Sequence, residues 1–474
     1  MKTNCTICSA PCTRIGAGAL AFVLLCSYAV CLGASGQDEA VNIVLDILRS
    51  DDQEMQAAAI AMVKEMPGME VTEALAKELP NLSAKSQVQL ISALGDRGDV
   101  AARPAVVAAV KSEDQSVRIA ALRAIGQLGD DSSVELLAKA AAGANGAEQK
   151  AARDSLYRLR GLNVDKVILA AIPKAEAKTK VELISSVGQR NITAGVTTLL
   201  QTAKGSDRKV RIESLRVLKV VAGPEHLPAL VELLINAESS SDRTEAQKTI
   251  AAVAHRIEDK NRQAESVLAV LPSVKETVPR CSLLNVLGRI GDNSALSVLT
   301  ASLKDENVEV QTAAIRALAV WPTPEPLDEL MKIAENSGNK VHRILALRGF
   351  VRLLGLASDR PAGQTIEMYK KAMSLAPDAG EKKKVLSGLA NTKSLAAMQM
   401  AADYLDDETL SVEAGAAVIN IAGGIYADYP EQAKDMLNQI IKVTKSDSLR
   451  QQAQDLKDNI EQGDIKQSSN EQEN

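Results

Sequence analysis

The chain has 474 residues, of which 46% are hydrophobic, 24% charged and only 2% aromatic, and its formal net charge at pH 7 is −5. An acidic balance argues against nucleic acid as the main partner, because that needs a concentrated basic face. With so few aromatic rings the core must be built of Ala, Leu, Val and Ile, and a sugar-binding surface that works by ring stacking is disfavoured.

The chain opens with Lys2 and Arg14, then an uncharged run from Ile15 to Ala34, then Ala34-Ser35-Gly36 before polar Gln37-Asp38-Glu39. A basic start, an apolar segment and small residues before the polar stretch predict a signal peptide over residues 1–36, cleaved after Gly36. The mature chain is then exported, periplasmic or secreted, with no membrane segment. The alternative is an uncleaved anchor, since a run of about 20 apolar residues is just long enough to cross. Cys5, Cys8, Cys12, Cys26 and Cys31 all lie in this leader. Cys281 is left alone, so no internal disulfide is expected. It stands in register with Ile119, which predicts a packed, inert thiol.

From Gln37 to Gln462 one phrase recurs about every 31 residues. Its clearest copy is Val117-Arg118-Ile119-Ala120-Ala121-Leu122-Arg123-Ala124-Ile125-Gly126, and variants stand at Gln87–Gly95, Lys180–Gly188, Val210–Leu218, Pro279–Gly288 and Val310–Leu318. Such a period predicts a solenoid whose units contact only their neighbours. Val117, Ala121, Ala124, Ile125 and Leu128 share one helical face, with Asp114 as N-cap and Gly129 as terminator. Val134, Leu137, Ala138 and Ala141 make the apolar face of a second helix. Openings of this kind near Ser50, Ser83, Ser112, Gly146, Ala175, Gly205, Ser240, Ser273, Asp305, Gly338, Asp378, Asp406 and Asp447 predict about a dozen hairpins. The wide interval at 355–378, with Ser358-Asp359-Arg360-Pro361, predicts an irregular junction. Residues 463–474 have almost nothing to bury and are expected to form a disordered tail.

Asp114-x-x-Val117-Arg118 and Asp207-x-x-Val210-Arg211, each leading into an Ala/Leu-rich helix, resemble HEAT repeats of the short bacterial type named for phycobilisome lyases. The resemblance implies an all-α, right-handed α-solenoid whose second helices line the inner, concave surface. It also implies that Arg118, Arg211, Arg280 and Arg343 join an inter-repeat ladder with the Asp of preceding repeats, broken at Gln87, Lys180 and Gln311. Leu347 to Leu353, Asp359-Arg360-Pro361, Met368 to Ala372 and Lys384 to Leu389 are similar to exported helical arrays of Bacteroidota and related phyla. Some of those arrays are fused to a sugar-processing β-sandwich. The likeness implies a carbohydrate-processing context rather than an activity.

Catalytic signals are absent. His226, His255 and His342 are too far apart along the array to share a metal, and no HExxH, nucleophile elbow or phosphate loop occurs. No catalytic residue, metal or cofactor is expected. Gly-x-x-Gly-Asp at Gly95–Asp99, Gly126–Asp130 and Gly288–Asp292 is expected to end helices, so Arg97-Gly98-Asp99 reads as a turn. The sequence therefore predicts a non-enzymatic exported scaffold that binds a protein or polymer partner. The candidate contacts are Arg118, Arg123, Arg211, Arg216, Arg316, His342, Arg343 and Arg348, taken to line the second helices, with Trp321 either an anchor or a ring packed into an inter-repeat gap left by Pro322 and Pro324. The alternatives are an accessory subunit that positions a cell-envelope carbohydrate-processing enzyme, and a repeat-type lyase.

Overall fold

Segments with apolar residues at helical spacing, opened by side chains that cap a helix N-terminus, form helices along the whole described chain. The structure is a computed structural model and describes residues 34–50 and 52–472. The signal-peptide expectation therefore falls almost entirely outside the described residues. Among the described residues there is no strand, and no helix is long and apolar enough to cross a membrane.

The chain divides into two units, Met1–Val221 and Ala222–Asn474. The first contains six hairpins: α1 (Ala34–Arg49) with α2 (Gln53–Glu65), α3 (Met69–Glu78) with α4 (Ala84–Arg97), α5 (Arg103–Ala109) with α6 (Gln115–Leu128), α7 (Val134–Gly143) with α8 (Gly146–Arg158), α9 (Val164–Ala171) with α10 (Ala177–Gln189), and α11 (Val196–Thr202) with α12 (Arg208–Val221). The second contains seven: α13 (Leu227–Ile235) with α14 (Ser240–Ala254), α15 (Glu265–Val270) with α16 (Thr277–Ile290), α17 (Leu296–Ser302) with α18 (Val308–Ala319), α19 (Leu327–Asn336) with α20 (Lys340–Leu354), α21 (Ala362–Leu375) with α22 (Ala379–Leu389), α23 (Leu395–Ala402) with α24 (Ser411–Ile425), and α25 (Pro430–Val443) with α26 (Asp447–Gln472). Within each unit the second helices stack on one another in series. The array is an all-α solenoid.

The pairing frame differs from the sequence reading by one helix. The helix of the recurring phrase is not the first member of its hairpin. α7, which carries Val134 to Ala141, packs on α8, the helix that follows it. The thirteen openings were the starts of the second helices. Apolar periodicity marks each helix but does not say which of its two sequence neighbours it folds back on.

The caps form as the side chains dictate. Asp114 Oδ1 accepts the Ser116 and Val117 N–H groups at 2.7 and 3.1 Å, satisfying two orphan donors of α6. Val117, Ala121, Leu122, Ile125 and Leu128 are buried, each large aliphatic side chain contributing about 1.5–3 kcal/mol before conformational entropy is charged against it. In each Gly-x-x-Gly-Asp copy only the second glycine closes the helix; Gly98 and Gly291 adopt φ of 73° and 71°, a conformation glycine takes without steric cost. The first glycine lies inside the helix, where the backbones of successive second helices come close. A Cβ on Gly288 would stand 2.5 Å from Ala317 Cα and 2.6 Å from its carbonyl oxygen.

Two expected irregularities take definite form. Residues 362–375 are regular helix, so the interval after α20 is wide because α21 has 14 residues, against 6 in α15 and 10 in α3. α26 continues to Gln472, into the stretch expected to be a tail. That stretch has no proline to stop a helix.

Candidate functional site

Most arginines of this chain are committed to holding the array together. The residue after the Val of the phrase reaches back to the loop that opens its own helix. Arg118 Nη1 donates to the Ser112 and Glu113 carbonyls, both at 2.9 Å. Arg211 Nη1 does the same to Gly205 and Ser206 at 3.1 and 2.7 Å, and Arg343 Nη1 to Ser337 at 3.3 Å. Gln87 and Gln311 make the equivalent bond, to Leu82 and Asp305, at 2.9 and 2.6 Å. In place of the expected Arg–Asp ladder with preceding repeats, broken at Gln87, Lys180 and Gln311, Arg118, Arg211 and Arg343 make a loop clamp that Gln87 and Gln311 serve alike. Two of these arginines also reach the following repeat: Arg118 forks onto Glu148 at 2.8 and 2.9 Å, and Arg280 meets Asp305 at 2.7 Å.

A second set, which the sequence reading passed over, stands at the C-terminal ends of second helices. Arg97 donates to the Val63, Met66 and Gly68 carbonyls, Arg190 to Tyr157 and Leu159, and Arg352 to Ala319 and Trp321. Each satisfies terminal carbonyls at the end of the preceding second helix or in the turn after it, and sets a cation at the negative end of its dipole. Burial pushes the Arg352 guanidinium below its usual range. Arg97 is thereby consumed, and Arg97-Gly98-Asp99 is a structural turn whose Asp99 caps the next segment through the Ala101 N–H.

The remaining candidates separate by exposure. Trp321 is 0% exposed and His342 is 5% exposed, so neither reaches a surface that a partner could touch. Trp321 fills the junction after α18, and His342 Nε2 lies 2.9 Å from Thr312 Oγ1 on α18; burial pushes its imidazole pKa down. Arg123, Arg216, Arg316 and Arg348 are exposed and occupy one register position on the second helices. Arg216 lies 3.5 Å from Glu213 on its own helix.

In the second unit this face forms a cavity of about 800 Å³. Arg316 and Arg348 line it, together with Lys248, His255, Arg289 and Arg352, which the sequence reading had not chosen. The aliphatic part of its wall includes Ala251, Ala319, Val320 and Leu345, and no carboxylate lines it. Arg348 is neutralised from below by the buried Glu381. Among the described residues the guanidinium groups of Arg289 and Arg316 make no hydrogen bond or ion pair. His255 Nδ1 faces Gln263 Oε1 at 3.2 Å, and its Nε2 faces the Arg289 carbonyl at 3.3 Å. The corresponding cavity of the first unit, about 400 Å³, holds Arg123, Lys150 and Arg158 but also Asp154. The cations of the larger cavity were findable: counted from the helix caps, Lys248, Arg316 and Arg348 share the position held by Asp154 and Ser185 in the first unit. Among the described residues no three His, Cys, Asp or Glu side chains converge as a metal site.

A family model for HEAT repeats matches residues 72–156 and 264–350. The chain carries HEAT repeats in both stretches. No curated protein sequence matches it. Among solved structures, this HEAT array is similar to Kap121p bound to Ste12p, at 11% identity and a TM-score of 0.53, and to the karyopherin Kap121p bound to the extreme C-terminus of the protein phosphatase Cdc14p, at 11% and 0.54. Each comparison covers 94% of this chain and 57% of that one. A third, Kap121p bound to Nup53p, matches at 12% identity and 0.51, covering 92% of this chain and 54% of that one. The HEAT array thus spans little more than half the length of these structures, and at such identity the likeness is one of fold.

Proposed function

We propose that this HEAT-repeat protein is an exported, non-enzymatic bacterial scaffold that binds a protein partner along the face of its second helices. The observation that carries the reading is the cavity of the second unit, where Arg289 and Arg316 stand exposed and, among the described residues, unpaired, while Arg348 and Arg352 beside them are spent on a carboxylate and on carbonyls. Stacked hairpins offer an extended surface rather than an enclosed pocket, and Kap121p, of similar fold, is bound to protein partners in the structures above. Export rests on the basic, apolar and small-residue pattern of residues 1–36, and bacterial origin on the short repeat type.

A second reading is an accessory subunit that positions a carbohydrate-processing enzyme of the cell envelope. It is favoured by the likeness of the stretch from Leu347 to Leu389 to arrays that accompany such enzymes. Chemical crosslinking in the native envelope, followed by capture of the chain and mass spectrometry, tests both. One protein recovered in stoichiometric amount supports the scaffold, and a glycan-processing enzyme as that protein supports the second reading. Purified chain that captures nothing and turns over a substrate overturns both. Mass measurement of the secreted or periplasmic chain tests export, with a mature N-terminus near Gln37 expected.

A further inference from the structure

We propose that the cavity on α14, α16, α18 and α20 is a docking site for an extended, acidic segment of a partner protein, with carboxylates at about every third residue. This inference deepens the scaffold reading above and rests on it. Charge defines the site. Lys248, Arg289, Arg316 and Arg348 point into one space from four successive second helices and no carboxylate lines that space; Glu381 offsets Arg348, and Glu245 meets Lys248 at 3.4 Å. The whole chain is acidic, at −5, so this local excess of cations is set against the general charge of the molecule. Such a patch steers and selects a negatively charged partner.

Spacing defines the segment. Packed helices lie about 8–10 Å apart, and an extended chain advances about 3.3 Å per residue. Every third residue of an extended segment crossing the stack therefore faces a new helix and a new cation. Between the cations the wall is aliphatic, at Ala251, Ala319, Val320 and Leu345, which suits small apolar residues between the acids. A nucleic acid strand fits less well: the cavity carries no Phe, Tyr or Trp, and His255 is its one ring for a base to stack on, too few for successive bases. Arg289 and Arg316 bring the decisive charge because binding does not require them to break an existing pair.

The test uses the full chain and a fluorescein-labelled peptide with Glu at every third position and Ala or Leu between, read by fluorescence anisotropy at low salt. The same peptide with Gln in place of Glu is expected to bind at least about tenfold more weakly, and added salt to weaken the Glu peptide. R289E with R316E, both on exposed positions, is expected to abolish binding. R289Q with R316Q, which removes charge without adding repulsion, is expected to weaken it by about tenfold. R123E in the first unit is expected to leave it unchanged. Equal binding of the Glu and Gln peptides, unchanged binding by R289Q with R316Q while the circular dichroism is intact, or tighter binding of a single-stranded oligonucleotide of equal charge would each overturn the proposal. Envelope capture separates the two readings. A partner whose capture survives R289E with R316E keeps the scaffold and overturns the acidic-segment site. Peptide binding with no captured partner does the reverse.

Discussion

Arg348 on α20 closes on Glu381 of the next hairpin through two parallel contacts, Nε to Oε2 at 2.9 Å and Nη2 to Oε1 at 2.5 Å. Glu381 is 5% exposed, and Lys384 adds a third contact at 2.8 Å. The Arg348 fork, opposed by burial and helped by Lys384, holds the Glu381 carboxyl at about 2. A carboxylate whose folded pKa is depressed contributes stability that is fully present above its unfolded value and lost as pH falls toward the folded one. Glu381→Gln should therefore lower unfolding stability by about 1–2 kcal/mol at pH 7, a figure discounted for the half-exposed arginine. The gap to the parent should close as pH drops from the ordinary glutamate range toward about 2. Urea unfolding at pH 7 and pH 3 checks this; a gap of equal size at both would show that the pair does not act through the ionised carboxylate.

Gly288 marks where α16 and α18 come closest, and the atoms in the way of a side chain are backbone atoms of Ala317. Because backbone cannot rotate aside, Gly288→Ala should separate the two helices and cost about 1–3 kcal/mol, despite the better helix propensity of alanine. A thermal melt reads the loss. Gly363→Ala, where nothing lies within 4 Å of the added carbon, should be neutral or slightly stabilising.

Asp114 accepts two backbone N–H groups at the start of α6. Asp114→Ala should cost about 1 kcal/mol, and Asp114→Asn should recover most of it, because both oxygens can cap. Hydrogen exchange of the first turn of α6 should quicken in the alanine variant alone.

Cys281 is half-buried, and burial, with Glu309 adding and Arg280 opposing, pushes its thiol above the usual range. Since the thiolate is the reactive form, alkylation at pH 8 should be roughly tenfold slower than in the urea-unfolded chain. Peptide-mapped mass spectrometry after timed iodoacetamide treatment measures it. A rate in the folded chain equal to that in the unfolded one would contradict the assignment of Cys281 as a packed thiol.

Periodicity made most of the fold legible. The positions of Val117, Ala121 and Ile125, the cap at Asp114 and the terminal Gly291 follow from local rules that act within a few residues, and the thirteen expected openings each fall at the start of a second helix. The candidate site was legible only in part. Arg316 and Arg348 were singled out, but Arg289, Lys248 and Arg352 were not, because a lone cation on a helix looks like any solvated residue until neighbouring helices bring others beside it. Trp321 could be read either as a packed ring or as an anchor, and His342 looked like a surface contact, because nothing in their own segments shows what packs over them.

Local information thus determined that this chain is helical, repetitive and closed by caps, since capping and apolar spacing are short-range effects. Tertiary packing decided which helices pair, because a helix with two similar neighbours can fold back on either. It also decided which arginines are consumed. Arg118 forks onto Glu148, Arg97 and Arg352 tie off the ends near preceding helices, and among the described residues Arg289 and Arg316 remain bare. That distinction depends on whether a carbonyl or carboxylate about thirty residues away arrives within hydrogen-bonding distance, which stacking alone brings about.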